Sequence, residues 1–356
     1  MEIYRGPRGN NGKIYESDYF VDEMDYEFPL IEFDDQQLCQ CNPESPIEIK
    51  FINRNQYQMV NTEICHCVTT LNTLLHSGKI DLVNGEEKRI AKLLINKCDQ
   101  ERIPSFTDYM KAGWQISLIG AIDFTYSNGM PSNPTSLHYI NGHNQYVEAI
   151  RAVGDILNNY DSDHQYPFYG FGGVPEFMNE TEVSHCFPLN GNWSSPEIVG
   201  IDSVLETYKE NVSKIKFLGP THFAPVIEKA KQQVMACTDD KMYFILLVLT
   251  DGEIHDMRET IDQIAEISQK NLPLSIIVIG VGDEDFANMV KLDGDDVAIK
   301  SGVKDLVQFV KFQEVMRRSE PDQQNGNLAA IVLEEVPAQF VKCYVDRKQF
   351  PSNGVL

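Results

Sequence analysis

Asp123, Thr125 and Ser127 stand at alternate positions in "IDFTYSN", directly behind the apolar run "WQISLIGA". In extended backbone alternate side chains point the same way, so a carboxylate and two hydroxyls would converge. Two later loops add to them. "LGPTHFAP" at 218–225 presents Thr221 at the mouth of a helix, and "VLTDGEI" at 248–254 presents Asp251, followed by Gly252 for a sharp turn. All five are oxygen donors, with no histidine or cysteine among them. That set suits a hard cation, Mg²⁺ or Mn²⁺ rather than Zn²⁺, with water completing a near-octahedral shell. With so few carboxylates the cation stays electron-poor and can accept an acidic side chain from a protein partner as its remaining ligand. The neighbouring residues His222, Asn128 and Glu253 fall on the rim that a partner would touch. Taken singly, each loop reads as a turn or helix cap; the order of the three, each in its place after a strand, points to a metal.

The elements that must position these loops begin near residue 113, where apolar strands start to alternate with stretches of helical period. That alternation predicts an α/β fold, a doubly wound, mostly parallel sheet of Rossmann-like kind, whose ligands lie beyond the carboxyl ends of the strands. The predicted strands are "WQISLIGAIDF", "YPFYGFGG", "VSHCFPL", "YFILLVLT" and "LSIIVIGVG", the second and third as edge or antiparallel members. Helices are predicted at 144–160, 200–215, 223–237 and 256–271, with Pro225 in a first turn, where its missing N–H costs nothing. "VKDLVQFVKFQEV" and "LAAIVLEEVPAQFVKCYV" are expected to close the chain as helices, joined by the exposed run "RRSEPDQQNGN". Residues 1–112 carry short β-rich runs such as "YEFPLIEF" and "PIEIKFIN", which predict a small antiparallel sandwich. The expected organisation is thus a β-rich region at 1–112, an α/β domain at 113–312, and a linker with a C-terminal helix at 313–356.

The pattern Asp-x-Thr-x-Ser, then Thr, then Asp resembles the metal-ion-dependent adhesion site (MIDAS) of von Willebrand factor A-type domains. The chain is similar above all to the copines, in "IDFTYSN" at 122–128, "LHYI" at 137–140, "YGFGG" at 169–173, "LGPTHFAP", "LTDGEIHDM" at 249–257, "IIVIGVGDEDF" at 276–286, "LDGDD" at 292–296 and "LEEVPAQFV" at 333–341. The resemblance implies a non-enzymatic signalling protein that binds protein partners through the A-type domain and anionic phospholipid at the plasma membrane in a calcium-dependent way. It carries Asp123, Thr125, Ser127, Thr221 and Asp251 over as the metal residues. Residues 14–105 resemble the latter part of a C2 domain, whose loops hold Ca²⁺ through aspartates. Here the loop after "PIEI" reads "NRNQYQ" at 53–58, with amides and an arginine where carboxylates would stand. Calcium affinity rises with the number of charged ligands, so these residues argue against a Ca²⁺ site there. The acids Asp18, Asp22, Glu23, Asp25, Asp34 and Asp35 read as a solvated surface.

Composition sets outer bounds. A formal charge of -23 over 356 residues repels nucleic acid and a bare anionic membrane alike. The N-terminus lacks an apolar signal core, no run reaches the roughly 18 to 20 apolar residues of a membrane span, and "SNGVL" offers no prenylation cysteine. A cytoplasmic protein, recruited at most to the plasma membrane, is expected, with its eight cysteines as free thiols and its three Asn-x-Ser/Thr sequons unmodified. "CQC" at 39–41 and "CHC" at 65–67 have the wrong spacing for a zinc knuckle. No nucleophile elbow and no phosphate loop is present, so enzymatic chemistry has no visible machinery. Two rival readings stand beside the metal-dependent one: a substrate adaptor linked to ubiquitin ligation, and a metal-free scaffold.

Overall fold

Strands buried on both faces are written as unbroken apolar runs, and two such runs, "YFILLVLT" and "LSIIVIG", lie side by side in the interior of the larger sheet. The structure is a computed structural model and describes residues 1–6, 12–18, 26–55, 60–293, 305–320 and 323–351. Several sequence features fall outside the described residues: Asp22, Glu23 and Asp25, positions 56–58 of the "NRNQYQ" loop, positions 294–296 of "LDGDD", positions 303–304 and 321–322, and the final "SNGVL". The chain divides into two compact units, Met1–Arg102 and Ile103–Leu356.

The first unit consists of β1 (Glu2–Arg5), β2 (Lys13–Glu16), α1 (Asp35–Cys39), β3 (Pro46–Asn55), β4 (Val60–Thr70), α2 (Leu71–His76), β5 (Lys79–Val83) and β6 (Arg89–Leu94). The strands form one antiparallel sheet in the order β2-β1-β3-β4-β5-β6. Among the described residues this is a single sheet, not the expected pair of facing sheets. Its buried side carries Ile3, Ile47, Ile49, Cys65, Cys67 and Leu82, the period-2 residues of the strands, with Leu38 and Cys39 of α1 against them. "YEFPLIEF" forms no strand: its Ile31 and Phe33 pack on this core from irregular backbone. Asp34 caps α1, accepting from the Gln36 N–H at 2.7 Å, and Asp35 accepts from the Gln100 amide at 2.5 Å. The cysteines are free thiols, and of the four in the two C-x-C pairs Cys39, Cys65 and Cys67 are buried in this core while Cys41 is exposed.

The second unit runs α3 (Phe106–Lys111), β7 (Gln115–Asp123), α4 (Gln145–Leu157), β8 (Gln165–Phe171), β9 (Gly173–Pro175), β10 (Phe187–Pro188), β11 (Glu197–Val199), α5 (Ile201–Asn211), β12 (Ile215–Phe217), α6 (Ala224–Ala236), β13 (Met242–Thr250), α7 (Met257–Gln269), β14 (Leu274–Gly280), α8 (Ala287–Asp293), β15 (Val307–Lys311), α9 (Phe312–Arg318), α10 (Gln324–Val332) and α11 (Val336–Asp346). The sheet order is β10-β8-β7-β13-β14-β15, with β11 also on β8. β8, β7, β13, β14 and β15 are mutually parallel, whereas β10 and β11 run antiparallel to β8. "YPFYGFGG" is therefore an interior parallel strand rather than an edge, because "VSHCFPL" supplies the short antiparallel edge beyond it.

Side chains alternate between two cores. Leu118, Ile122, Ile245, Leu247 and Leu249 join α4, α5 and α11 on one face, and Ile119, Ala121, Leu246 and Val248 join α6, α7 and α8 on the other. Truncating one of the leucines or isoleucines to alanine costs about 2–5 kcal/mol, so these two cores hold the sheet that carries the site loops. The C-terminal part differs from the sequence reading in two places. "VKDLVQFVKFQEV" is not one helix: Val307–Lys311 adds β15 beside β14, since its β-branched run meets an open sheet edge, and only then does α9 begin. "LAAIVLEEVPAQFVKCYV" is two helices, α10 and α11, with Pro337 in the first turn of the second. Val315, Leu328, Val332, Val336, Phe340 and Tyr344 from these helices belong to the same core as β7 and β13.

Candidate metal centre

From β7 the chain crosses to β8 on one side and later returns to β13 on the other, so the winding reverses between β7 and β13. The carboxyl ends of two strands that part in this way leave a crevice where ligands bind. Asp123 is the last residue of β7 and Asp251 directly follows β13. The sheet therefore brings together at its switch point two carboxylates that lie far apart in sequence.

Asp123 is fully buried. One of its oxygens accepts from the Thr125 backbone N–H at 2.8 Å and the other from the Thr250 hydroxyl at 2.6 Å. Asp251 is buried as well, and its Oδ1 accepts from the Ser127 hydroxyl at 3.0 Å, the Asn128 amide at 2.9 Å and the Thr125 hydroxyl at 3.5 Å. Thr125 Oγ1 and Ser127 Oγ lie 3.1 Å apart. Both hydroxyls come together against Asp251 as expected, but by another route: Ser127 lies in the short helical turn Tyr126–Asn128 rather than in extended backbone, and that turn brings it beside Thr125. Thr221 arrives on the loop before α6: a Cβ built on Gly252 would stand 3.7 Å from its hydroxyl, which puts Thr221 beside the Asp251 turn.

Several residues hold this arrangement that the sequence alone did not single out. The Thr125 loop is tied to Leu218 by a parallel bridge and by the Tyr126 N–H to Leu218 carbonyl bond at 3.0 Å. His255 grips Thr221 from both sides, its N–H donating to the Thr221 carbonyl at 2.9 Å and its Nδ1 accepting from the Thr221 N–H at 3.3 Å. The Asp256 carboxylate accepts from the Phe223 and Ala224 N–H groups at 2.9 Å each, supplying a negative charge to the amino end of α6. Beneath Asp123, buried His138 donates from Nε2 to the Asp123 carbonyl at 2.8 Å and accepts at Nδ1 from Tyr208 at 2.7 Å. These partners fix its neutral tautomer. Gly172, at φ +77, comes close enough to Thr125 that a Cβ there would lie 2.4 Å from the threonine methyl. The glycine in "GFGG" is thus a spacer for the site loop. The legible signal for Thr250, His255 and Asp256 lay in "LTDGEIHDM" and for Gly172 in "YGFGG", motifs that mark the segments without assigning these residues a role.

The three rim positions separate. Glu253 is exposed and His222 partly so, its ring 4.3 Å from that of His185. Asn128 is not on the rim. It is 1% exposed, donates to Asp251 and accepts from the Tyr146 hydroxyl at 2.6 Å, because the short helical turn Tyr126–Asn128 swings its side chain inward.

Burial raises the pKa of Asp123, and its hydrogen bonds only offset this in part. Burial, and then the nearby Asp123 charge, push Asp251 up to about 7, with Glu284 adding to the effect. The charges that act most on Asp251 are thus acidic, which is the electrostatic signature of a place that gains from a cation. The donor set fits one: hydroxyl and carboxylate oxygens only, suited to Mg²⁺ or Mn²⁺. Among the described residues no group of three or more His, Cys, Asp or Glu is placed to hold a metal, and here two of five donors are carboxylates.

A copine family model matches residues 136–352. Copine-A of Dictyostelium discoideum is 36% identical over 362 residues, covering 96% of this chain and 58% of the relative. Nicotinic receptor-associated protein 1 of Caenorhabditis briggsae is 34% identical over 368 residues, covering 93% of this chain and 58% of the relative. The chain therefore spans a little over half the length of these relatives. Among solved structures, manganese-loaded TRAP protein of Plasmodium vivax matches with TM-score 0.36 and 15% identity over 58% of this chain and 72% of the other. The SpRpn10 VWA domain matches with TM-score 0.36 and 10% identity over 56% and 87%. A mussel byssus proximal thread matrix protein with a zinc-occupied MIDAS motif matches with TM-score 0.34 and 14% identity over 65% and 46%. The strand order and the switch-point loops of this chain by themselves give the second unit a von Willebrand A-like fold.

Proposed function

The chain belongs to the copine family, and from that premise we propose that it is a non-enzymatic binding protein whose A-type unit takes up a protein partner through a divalent cation. Asp123, Thr125, Ser127, Thr221 and Asp251 would hold Mg²⁺ or Mn²⁺, and an acidic side chain of the partner would complete its coordination. The bound ion supplies the positive charge that joins two acidic surfaces. The single observation that carries this reading is the convergence of the Thr125 and Ser127 hydroxyls, 3.1 Å apart, on buried Asp251.

This chain's own residues do the positioning. Thr250 and the Thr125 N–H hold Asp123, Asn128 holds Asp251, and His255 with Asp256 holds the Thr221 loop. Exposed Glu253, beside the site, would repel an acidic partner and make recognition depend on the ion.

A cytoplasmic location with recruitment to the plasma membrane belongs to the same proposal. The family's calcium-dependent phospholipid docking would need carboxylates that "NRNQYQ" does not supply. We therefore assign membrane recruitment to a membrane-protein partner rather than to lipid; the name of the Caenorhabditis relative makes a nicotinic receptor one partner to try. The experiment is a peptide array of acidic and matched amide sequences probed with the full chain in Mg²⁺ and in EDTA. Capture by acidic peptides in Mg²⁺ alone, lost in Asp251→Ala, supports the proposal. Capture that ignores Mg²⁺, or that does not distinguish Asp from Asn, overturns it.

A further inference from the structure

At the opposite end of the sheet from Asp251, by the amino ends of β14 and β15, a cavity of about 360 Å³ opens between α7 and α11. That volume lies within the range of small-ligand pockets, roughly 300–1,000 Å³. One wall is apolar, from Ile267, Leu272, Leu306 and Ala338. The other carries Asp305, Glu334 and Glu335, with Lys342 as the one cation among the described lining residues.

Glu335 is served by a polar chain that starts in the buried core and ends half-buried. Tyr243 and Ser275, both buried in the core, share a hydroxyl hydrogen bond of 2.7 Å. The Ser275 hydroxyl donates to the Gln339 side-chain carbonyl at 2.5 Å, and the Gln339 amide donates in turn to Glu335 Oε2 at 3.1 Å. A train of donors running from the core to one carboxylate orients that carboxylate in the cavity. Burial, with Asp305, Asp293 and Glu334 nearby, raises the Glu335 pKa, and the Gln339 bond offsets it only in part. An oriented carboxylate among like charges beside an apolar wall has its complement in a cation on an apolar stem.

We propose that this cavity binds a small amphipathic amine, its ammonium group on Glu335 with Asp305 and Glu334 beside it, and its stem against Ile267, Leu272 and Leu306. The site stands apart from the metal centre and owes nothing to it. Glu335 selects the charge, and the apolar wall selects length.

The test is titration calorimetry of the full chain with hexylammonium, and with 1-hexanol and hexanoate as probes of equal stem length. Saturable binding of hexylammonium alone is expected, weakened roughly tenfold or more in Glu335→Gln, since a charged hydrogen bond is lost. Ala338→Trp, at an exposed helix position, should fill the cavity and abolish binding while the thermal unfolding curve keeps its shape. Asp251→Ala should bind the amine as the wild type does. The proposal is overturned if hexylammonium does not saturate the wild type, if hexanol binds equally, or if Glu335→Gln binds unchanged. It is also overturned if the peptide Leu-Lys-Leu binds and hexylammonium does not, which would make the cavity a protein-docking site.

Discussion

The Ser127 hydroxyl donates to the Asp251 carboxylate at 3.0 Å, joining residues 124 positions apart. With Asn128 bound to the same oxygen, the loop after β7 is fastened to the loop after β13 by hydrogen bonds within the chain. Ligand oxygens held by such contacts keep a productive geometry at low reorganisation cost.

Asn128 is the hinge of that fastening, since its amide donates to Asp251 and its carbonyl accepts from Tyr146. Asn128→Ala strands the buried Tyr146 hydroxyl and removes one donor from Asp251, and should destabilise the fold by about 1–3 kcal/mol. Urea unfolding measures the loss, and Mg²⁺ affinity by calorimetry should fall with it.

Gly172→Ala should weaken metal binding without touching a donor. Its φ of +77 disfavours alanine, and the new Cβ would meet the Thr125 methyl at 2.4 Å. The strain costs on the order of 1–3 kcal/mol. Serine keeps the hydroxyl and lacks that methyl, so Gly172→Ala with Thr125→Ser should recover part of the Mg²⁺ affinity lost in Gly172→Ala.

Ion removal should cost stability. A ligand at about 100 times its Kd adds ~2.7 kcal/mol to the folded state, so EDTA should lower Tm by several degrees relative to saturating Mg²⁺. Asp123→Ala should melt at one temperature in both buffers.

His138 sets an acid limit. Burial lowers its pKa from 6.5 to about 3, while the Asp123 carbonyl acts the other way. Between those values the unfolded chain binds the proton that the folded chain refuses. The contribution is therefore full above pH 6.5 and is lost as pH falls toward 3. His138→Gln should flatten the stability–pH curve over that window, as read by chemical unfolding at stepped pH.

The parts of the fold carried by period and length were legible. The β7, β13 and β14 runs are long, apolar and bounded by turns, and α4 and α7 repeat their stripe without interruption. β15 was not legible, because "VQFVK" running into "FQEV" also satisfies a helical period and only the open edge of β14 decides it. "YEFPLIEF" failed in the opposite sense: its residues have strand propensity, yet its backbone is irregular where Ile31 and Phe33 pack on the core, and tertiary context overrides propensity. At the site, Asp123, Thr125, Ser127 and Asp251 are joined by hydrogen bonds, the first three read from their spacing and Asp251 from its place after an apolar strand. The inward turn of Asn128 depends on a short 3₁₀ turn after Thr125, which alternate spacing does not encode. His138 was hidden for the same kind of reason, since its role rests on contact with the Asp123 carbonyl across 15 residues.

The most direct measurement is the fraction of free Mn²⁺, read by electron paramagnetic resonance as the ion is titrated into the full chain and into Asp251→Ala. One saturable site on the wild type, competed by Mg²⁺ and missing from the variant, is the outcome expected of a metal centre at the β7–β13 switch point. A wild type with no saturable site, or a variant that binds Mn²⁺ as tightly as the wild type, contradicts it.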